Sequence, residues 1–291
     1  MRLVQFTADG ASRVGARRNG SVVDLEAAGD AVGTPLPNSM VDLLSDPGWR
    51  ETVEEVVAEV GDGPAVHDAA DVELDAPVTG PEKIVCVGLN YVEHAEESDE
   101  DTPDSPVLFS KFPSAITGPG SEIRWDTELT NEVDFEAELA AVVGKTARRI
   151  DRDEAKEHVA GYTVANDVSA RDLQFADDQW VRGKTLDTFC PLGPDLVTED
   201  ELGDPHDLDI YTDVNGERLQ DSNTQHMVFD VYDLVSFCSQ AFTLNPGDLI
   251  LTGTPPGVGA FREPPIYLED GDEVTVGVEG IGDLTNTCAN P

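Results

Sequence analysis

The sequence predicts an α+β, strand-rich protein, with a small amino-terminal α/β domain over residues 1–78 and a larger mixed β-sandwich roll over 79–291. Three observations predict it. Apolar residues fall in short runs bounded by turn residues, as strands require. Helical periodicity is confined to a few places. A Pro/Gly junction, VELDAPVTGPEK, separates the opening segment from the rest. In order, RLVQF, SRVGAR and SVVDL alternate across residues 2–25 with turns at Asp9-Gly10 and Asn19-Gly20, so a hairpin begins the chain. Two short helical patterns follow at 39–44 and 49–60, the second closed by Gly61. From Lys83 come the runs KIVCVG, PVLFSK, FEAELAAVVG, GYTVAND, LDIYTDVNG, DLILTG and DEVTVGVEG, with NGERLQ as a tight hairpin turn. Helices are expected only near 153–159, 170–175 and 231–241, as cover for a sheet structure.

Charge narrows the setting. The 291 residues hold 59 Asp+Glu against 18 Lys+Arg, a net charge of -41, spread over nearly every loop. Such a surface repels itself at low ionic strength, whereas at molar salt the Debye length falls to about 3 Å. A halophile's enzyme is the natural reading. An acidic disordered protein is excluded by a hydrophobic content of 39% in patterned runs, and nucleic acid and anionic membranes are poor partners. MRLVQFTADG lacks the apolar core of a signal peptide, and the longest uncharged stretch, residues 234–247, spans 14 residues and contains Pro246. Cys86, Cys190, Cys238 and Cys288 form no C-x-x-C pair, which suits reduced thiols. A cytoplasmic location is expected.

The chemistry starts at VDFEAELAAVVGK. In a strand Glu136 and Glu138 share one face while Phe135, Ala137, Leu139, Ala141 and Val143 bury the other. Acid-x-acid pairs should arise by chance about a dozen times in so acidic a chain. Context separates this one: most acids lie in polar runs such as ESDEDTPDS, but Glu138 abuts Leu-Ala-Ala-Val-Val, where an unpaired charge is costly. Two adjacent carboxylates call for a hard divalent cation and a third acid. Asp167, in GYTVANDVSARDLQ, is the candidate, followed by Arg171 and Gln174.

GLNYVEHAEES leaves a strand and enters a short helix, with Asn90 and Glu93 spaced as a capping box. His94 and Glu97, at i and i+3, share a face there, giving a histidine oriented by a carboxylate as a general base requires. The simpler alternative is an exposed His beside acids. His67, His158, His206 and His226 receive no role. Of only five lysines, Lys111 in VLFSKFPSAITGPG and Lys184 in RGKTLDTFCPLGP sit in largely uncharged segments. Either holds an anionic substrate or pairs with one of the many acids. DLILTGTPPGVG ends a strand in a Gly/Pro loop whose N–H groups suit a carboxylate.

In their order, NYVEHAEE, SKFPSAITGPG, DFEAELAAVVGK, GYTVANDVSARDLQ, GKTLDTFCPLGP, QDSNT and LILTGTPPGVG resemble the fumarylacetoacetate hydrolase family, in particular its shorter members acting on 2-oxo or 1,3-dioxo acids. The likeness runs from about Lys83 to Cys288, and the amino-terminal 75 residues match loosely. It implies Mg²⁺ or Mn²⁺, with Ca²⁺ able to take its place, held by Glu136, Glu138 and Asp167. It also implies a His94–Glu97 dyad, substrate contacts from Arg171, Gln174, Lys184 and Thr254, the family's carboxy-terminal β-roll and a homodimer. Lys111 and Ser114 join the expected substrate contacts, and Lys184 is counted as catalytic. The expected reaction passes through an enolate held by the cation, with charge spread toward Lys184. Carbon–carbon bond hydrolysis, decarboxylation and isomerisation, the last as in aromatic-compound breakdown, all share that enolate. Two alternatives stand beside it. A 2-keto-3-deoxy sugar acid dehydratase or lyase would need polar groups such as Ser114, Thr117 and Asp187, and a non-catalytic acid-binding module would need none. NYVEHAEESDEDTPDSP is read as a lid.

Overall fold

In the computed structural model, which describes residues 1–290, the amino-terminal alternation folds as three antiparallel strands, Arg2–Ala8, Ala11–Arg18 and Ser21–Asp24. Asp9 and Asn19 take φ of 53° and 51° ahead of Gly10 and Gly20, the left-handed pairing that lets a two-residue turn follow the strands' twist. Helices Met40–Ser45 and Trp49–Glu59 form where the apolar spacing asks for them. A helix at Leu25–Val32 was not legible. Its Asp24 cap, which accepts from Ala27 N–H, doubles as the last strand residue, and Gly29 breaks its helical pattern because the chain at Thr34 passes too close for any side chain.

These strands enter a larger sheet. Its path runs Val66–Asp68, Ser21–Asp24, Ala11–Arg18, Arg2–Ala8, Cys190–Val197, Val159–Asn166, Ala137–Val143, Leu249–Leu251, Ile84–Gly88 and Val107–Lys111. Most pairs are antiparallel, but Leu249–Leu251 runs parallel to Ile84–Gly88. Arg2 and Leu3 pair with Val197 and Leu196, so the sheet is continuous through the Pro/Gly junction. A second sheet of five strands, with Gly282–Ala289 parallel to Glu122–Arg124 at its edge, lies over one face.

Two cores explain the apolar run around Glu138. Phe135, Ala137, Leu139, Ala141 and Val143 pack toward the second sheet and the Val231–Ala241 helix. Ala140 and Val142 pack the other way, against Leu3, Leu43, Trp49 and Val53 of the amino-terminal segment. A strand buried on both faces reads as a continuous hydrophobic run. The two glutamates, sharing parity with Ala140 and Val142, sit where this central strand begins.

Among the strands that the sequence reading did not include, four have plain physical reasons. Cys190–Val197 carries Pro191 and Pro194, residues that argue against a central strand. Glu217–Asn223 and Gly282–Ala289 are rich in Asp, Asn and Thr, and their pattern of burial comes from the sheet partner rather than from apolar residues. The Val133–Asp134 strand is only two residues long. Among the described residues no helix is long and apolar enough to cross a membrane.

Candidate active site

Glu136, Glu138 and Asp167 converge. One carboxylate oxygen from each lies within 4.8 Å of the others, and all three side chains are buried. The central strand brings the glutamates; its neighbour Val159–Asn166 ends one residue before Asp167, whose N–H donates to Glu136 O at 2.9 Å. Cations crowd the same spot. Lys184 Nζ donates to Glu136 Oε2 at 2.7 Å and Asp167 Oδ2 at 3.1 Å, and Lys111 Nζ pairs with Asp167 Oδ1. Arg171 bridges Asp134 at 2.8 Å and Glu136 at 2.7 Å. Burial raises Glu136, but Lys184 and then Arg171 outweigh it and bring it down to about 2. Burial drives Glu138 well above the usual carboxylate range, with Asp167 and Glu136 adding to the rise.

This arrangement tests the donor set. Four buried carboxylates (Asp134, Glu136, Glu138, Asp167) face three buried cations (Lys111, Arg171, Lys184). Glu138 is the one left without a cationic partner; its Oε2 accepts only the Gly253 N–H, at 2.7 Å. A further positive charge among oxygen donors is what the cluster lacks, so the residues fit a hard divalent cation.

His94 Nδ1 stands 3.3 Å from Glu97 Oε2 on the Val92–Glu97 helix. Both Glu97 oxygens also accept the Gly257 N–H, at 3.0 and 3.1 Å. Gly257 adopts φ +102°, and any side chain there would strike Leu219 O, so only glycine lets the loop deliver that N–H. With Glu97 ionised, Nδ1 is the donor and Nε2 is the nitrogen free to take a proton. The Gly/Pro loop thus binds carboxylates as expected, but they are the protein's own, Glu138 and Glu97.

A cavity of about 330 Å³ joins these groups. Its lining includes the polar groups of His94, Glu136, Glu138, Arg171, Gln174, Lys184 and Thr254 and the apolar side chains of Val87, Phe109, Phe175, Trp180 and Phe261. Gln174 Oε1 accepts from Arg171 Nη1 at 3.0 Å, which leaves the Gln174 amide N–H groups for a ligand. Lys184 Nζ lies 5.2 Å from the centre of the Phe109 ring.

The fumarylacetoacetate (FAA) hydrolase C-terminal family model matches residues 83–289. The chain belongs to the fumarylacetoacetate hydrolase family. It is 47% identical over 292 aligned positions to the mitochondrial oxaloacetate tautomerase FAHD2B of Bos taurus, covering 98% of this chain and 91% of that one. The solved fumarylacetoacetate hydrolase of psychrophilic Exiguobacterium antarcticum is 38% identical and superposes with a TM-score of 0.85, each chain covered in full. The maleylpyruvate hydrolase of Sphingobium sp. SYK-6, solved with manganese(II) and pyruvate, is 31% identical with a TM-score of 0.81, covering 100% of this chain and 99% of that one.

Four expectations drawn from the family likeness or the residues meet a different placement in the structure. Lys111 does not line the cavity. At the end of its strand, its Nζ is spent on Asp167 and on Val168 O at 3.0 Å. Ser114 follows exposed Phe112 and Pro113 outward in a short turn and does not reach the cavity. Thr117 and Asp187 are absent from the lining too, so neither offers the sugar-acid alternative a polar group there. Asn90 does not cap the helix, which starts after Tyr91. Its buried amide donates to Phe229 O and Thr252 O and accepts Phe229 N–H, tying the start of this segment to two other segments. Asp134, Gln220, Phe109, Trp180 and Phe261 were missed. Asp134 had a signal, standing one acid-x-acid step before Glu136; the aromatics had none.

Proposed function

We propose that this protein is a divalent-cation-dependent enzyme of small 2-oxo dicarboxylates, and that its reaction is keto–enol tautomerisation of oxaloacetate. The observation that carries the reading is the buried oxygen-donor triad, two of whose members, Glu136 and Glu138, share a cavity with a carboxylate-oriented histidine. The 47% identity over 98% of the chain to an oxaloacetate tautomerase favours proton transfer over bond cleavage. Glu136, Glu138 and Asp167 would hold the cation, which supplies Lewis acidity to polarise the keto group. Mg²⁺ and Mn²⁺ both suit the donors, and the manganese-bearing relative favours a trial of Mn²⁺ first.

The chain's own residues divide the remaining tasks. His94 Nε2 takes the proton from the carbon next to the keto group, the C–H pair forms the C=C bond as the C=O π pair moves onto the keto oxygen, and the protonated imidazole gives its proton to that oxygen to yield the enol. Glu97 keeps the imidazole in the tautomer that can do this. Lys184 holds positive charge close to where negative charge develops. Gln174 and Thr254 orient the carboxylate, while Arg171, already engaged by Asp134 and Glu136, fixes the acid that faces it. Phe109, Trp180, Phe175 and Phe261 exclude water. A salt-rich cytoplasm is the proposed setting, supported by the charge of -41, and a homodimer is part of the proposal, supported by Phe112, Leu129 and Phe175 standing 53%, 49% and 59% exposed.

The test is to supply Mn²⁺ or Mg²⁺ at molar KCl and follow oxaloacetate enol loss, pyruvate release and acylpyruvate cleavage in parallel. Tautomerisation outpacing the other two supports the proposal. Acylpyruvate cleavage dominating would assign the same dyad to water activation instead, and no turnover of any 2-oxo acid would leave the acid-binding module.

A further inference from the structure

We propose that Gln220 is a positioning residue that fixes the Thr254 hydroxyl as a hydrogen-bond donor to the substrate's carboxylate, an inference that rests on the oxo-acid reading above. Gln220 is fully buried on the Glu217–Asn223 strand. Its Oε1 accepts from Ala137 N–H at 2.9 Å and from the Thr212 hydroxyl at 2.6 Å. Its Nε2 donates to Pro255 O and to Thr254 Oγ1, both at 2.8 Å. Both ends of the amide are therefore saturated.

The amide cannot be turned over. Ala137 N–H can only donate and Pro255 C=O can only accept, so a flip would set donor against donor at one end and acceptor against acceptor at the other. Two backbone groups of fixed polarity thus decide which end faces Thr254. Its oxygen must accept, and its hydrogen must go elsewhere. Among the described residues that hydrogen has no acceptor, and the 3% of Thr254 that remains exposed lines the cavity. An anionic oxygen of the ligand is the partner it suits. The same amide grips Ala137, between Glu136 and Glu138, so one side chain sets the hydroxyl in register with the acid triad.

Four variants test this: Thr254→Val, Thr254→Ser, Gln220→Glu and Gln220→Met, the first three close in size to what they replace. A carboxylate at 220 still accepts from Ala137 but turns the Thr254 hydrogen toward itself, and a thioether donates nothing. Pyruvate binding to the Mn²⁺-loaded protein is read by calorimetry, with Mn²⁺ affinity, KM and kcat for oxaloacetate alongside. Thr254→Val and Gln220→Glu should each weaken pyruvate about ten-fold and raise KM to match, with kcat and Mn²⁺ affinity within about three-fold. Thr254→Ser should bind as the parent does, and the Thr254→Val/Gln220→Glu pair should be no weaker than Thr254→Val alone. Multiplied losses in the pair, a Gln220 defect confined to Mn²⁺ affinity, or failure of both Gln220 variants to fold would each overturn the role. If the parent protein turns over oxaloacetate while Thr254→Val changes nothing, only this inference falls. If the parent neither binds pyruvate nor turns over any 2-oxo acid, the oxo-acid reading falls first and takes this one with it.

Discussion

Glu138 is the residue on which the chemistry turns, because it alone in the buried cluster has no cation beside it. In the metal-free protein burial first, and then Asp167 and Glu136, favour its protonated form. Folding therefore takes up a proton as pH rises above 4.5, and the metal-free protein loses stability as pH climbs from there toward the raised native value. A bound cation needs the carboxylate, so cation binding releases that proton and tightens as pH rises. Glu138→Gln should flatten the stability profile of the metal-free protein and raise its midpoint in thermal melts across that window, while lowering Mn²⁺ affinity by more than about a hundred-fold in calorimetry. His94→Asn separates the dyad from the cation site. Tautomerisation should fall by about 10²–10⁴ with Mn²⁺ affinity unchanged; equal loss of both would place His94 among the ligands.

Elements deliver these groups, and their legibility differed. The hairpin strands at the start could be read because Asp9-Gly10 and Asn19-Gly20 announce their turns and one face is apolar. The pair Glu136 and Glu138 could be read because a doubly buried strand has no use for acids. Gly257 could be placed in a loop but not understood, since its task depends on Glu97 arriving from a helix 160 positions away. Gly257→Ala tests that link: the φ of +102° and the collision with Leu219 O should cost about 1–3 kcal/mol in denaturant unfolding and loosen Glu97, lowering kcat. Unchanged kcat in a folded variant would show that His94 needs no such support. Gln220 and Asp134 escaped notice as site residues for a different reason from the proline-bearing Cys190–Val197 strand. Their roles come from partners distant in sequence, such as Thr254 for Gln220 and Gly259 for Asp134, and a single chain read linearly carries no record of those meetings.

Over the whole molecule, a charge of -41 opposes a fold whose cores are otherwise well filled. Repulsion of this kind is long-ranged and screened by salt, whereas the acid–cation cluster is buried and screened far less. The melting temperature should rise steeply from low salt to molar KCl, while Mn²⁺ affinity at fixed pH changes far less over the same range. A melt insensitive to KCl would remove the case for a saline setting. The catalytic proposal stands or falls on one titration, in which chelator-stripped protein at molar KCl receives Mn²⁺ while binding and oxaloacetate tautomerisation are followed together. The expected result is one equivalent bound per chain, activity rising in proportion to it, and both absent in Glu138→Gln. Full turnover in excess chelator, or one equivalent bound with unchanged affinity by Glu138→Gln, would contradict it.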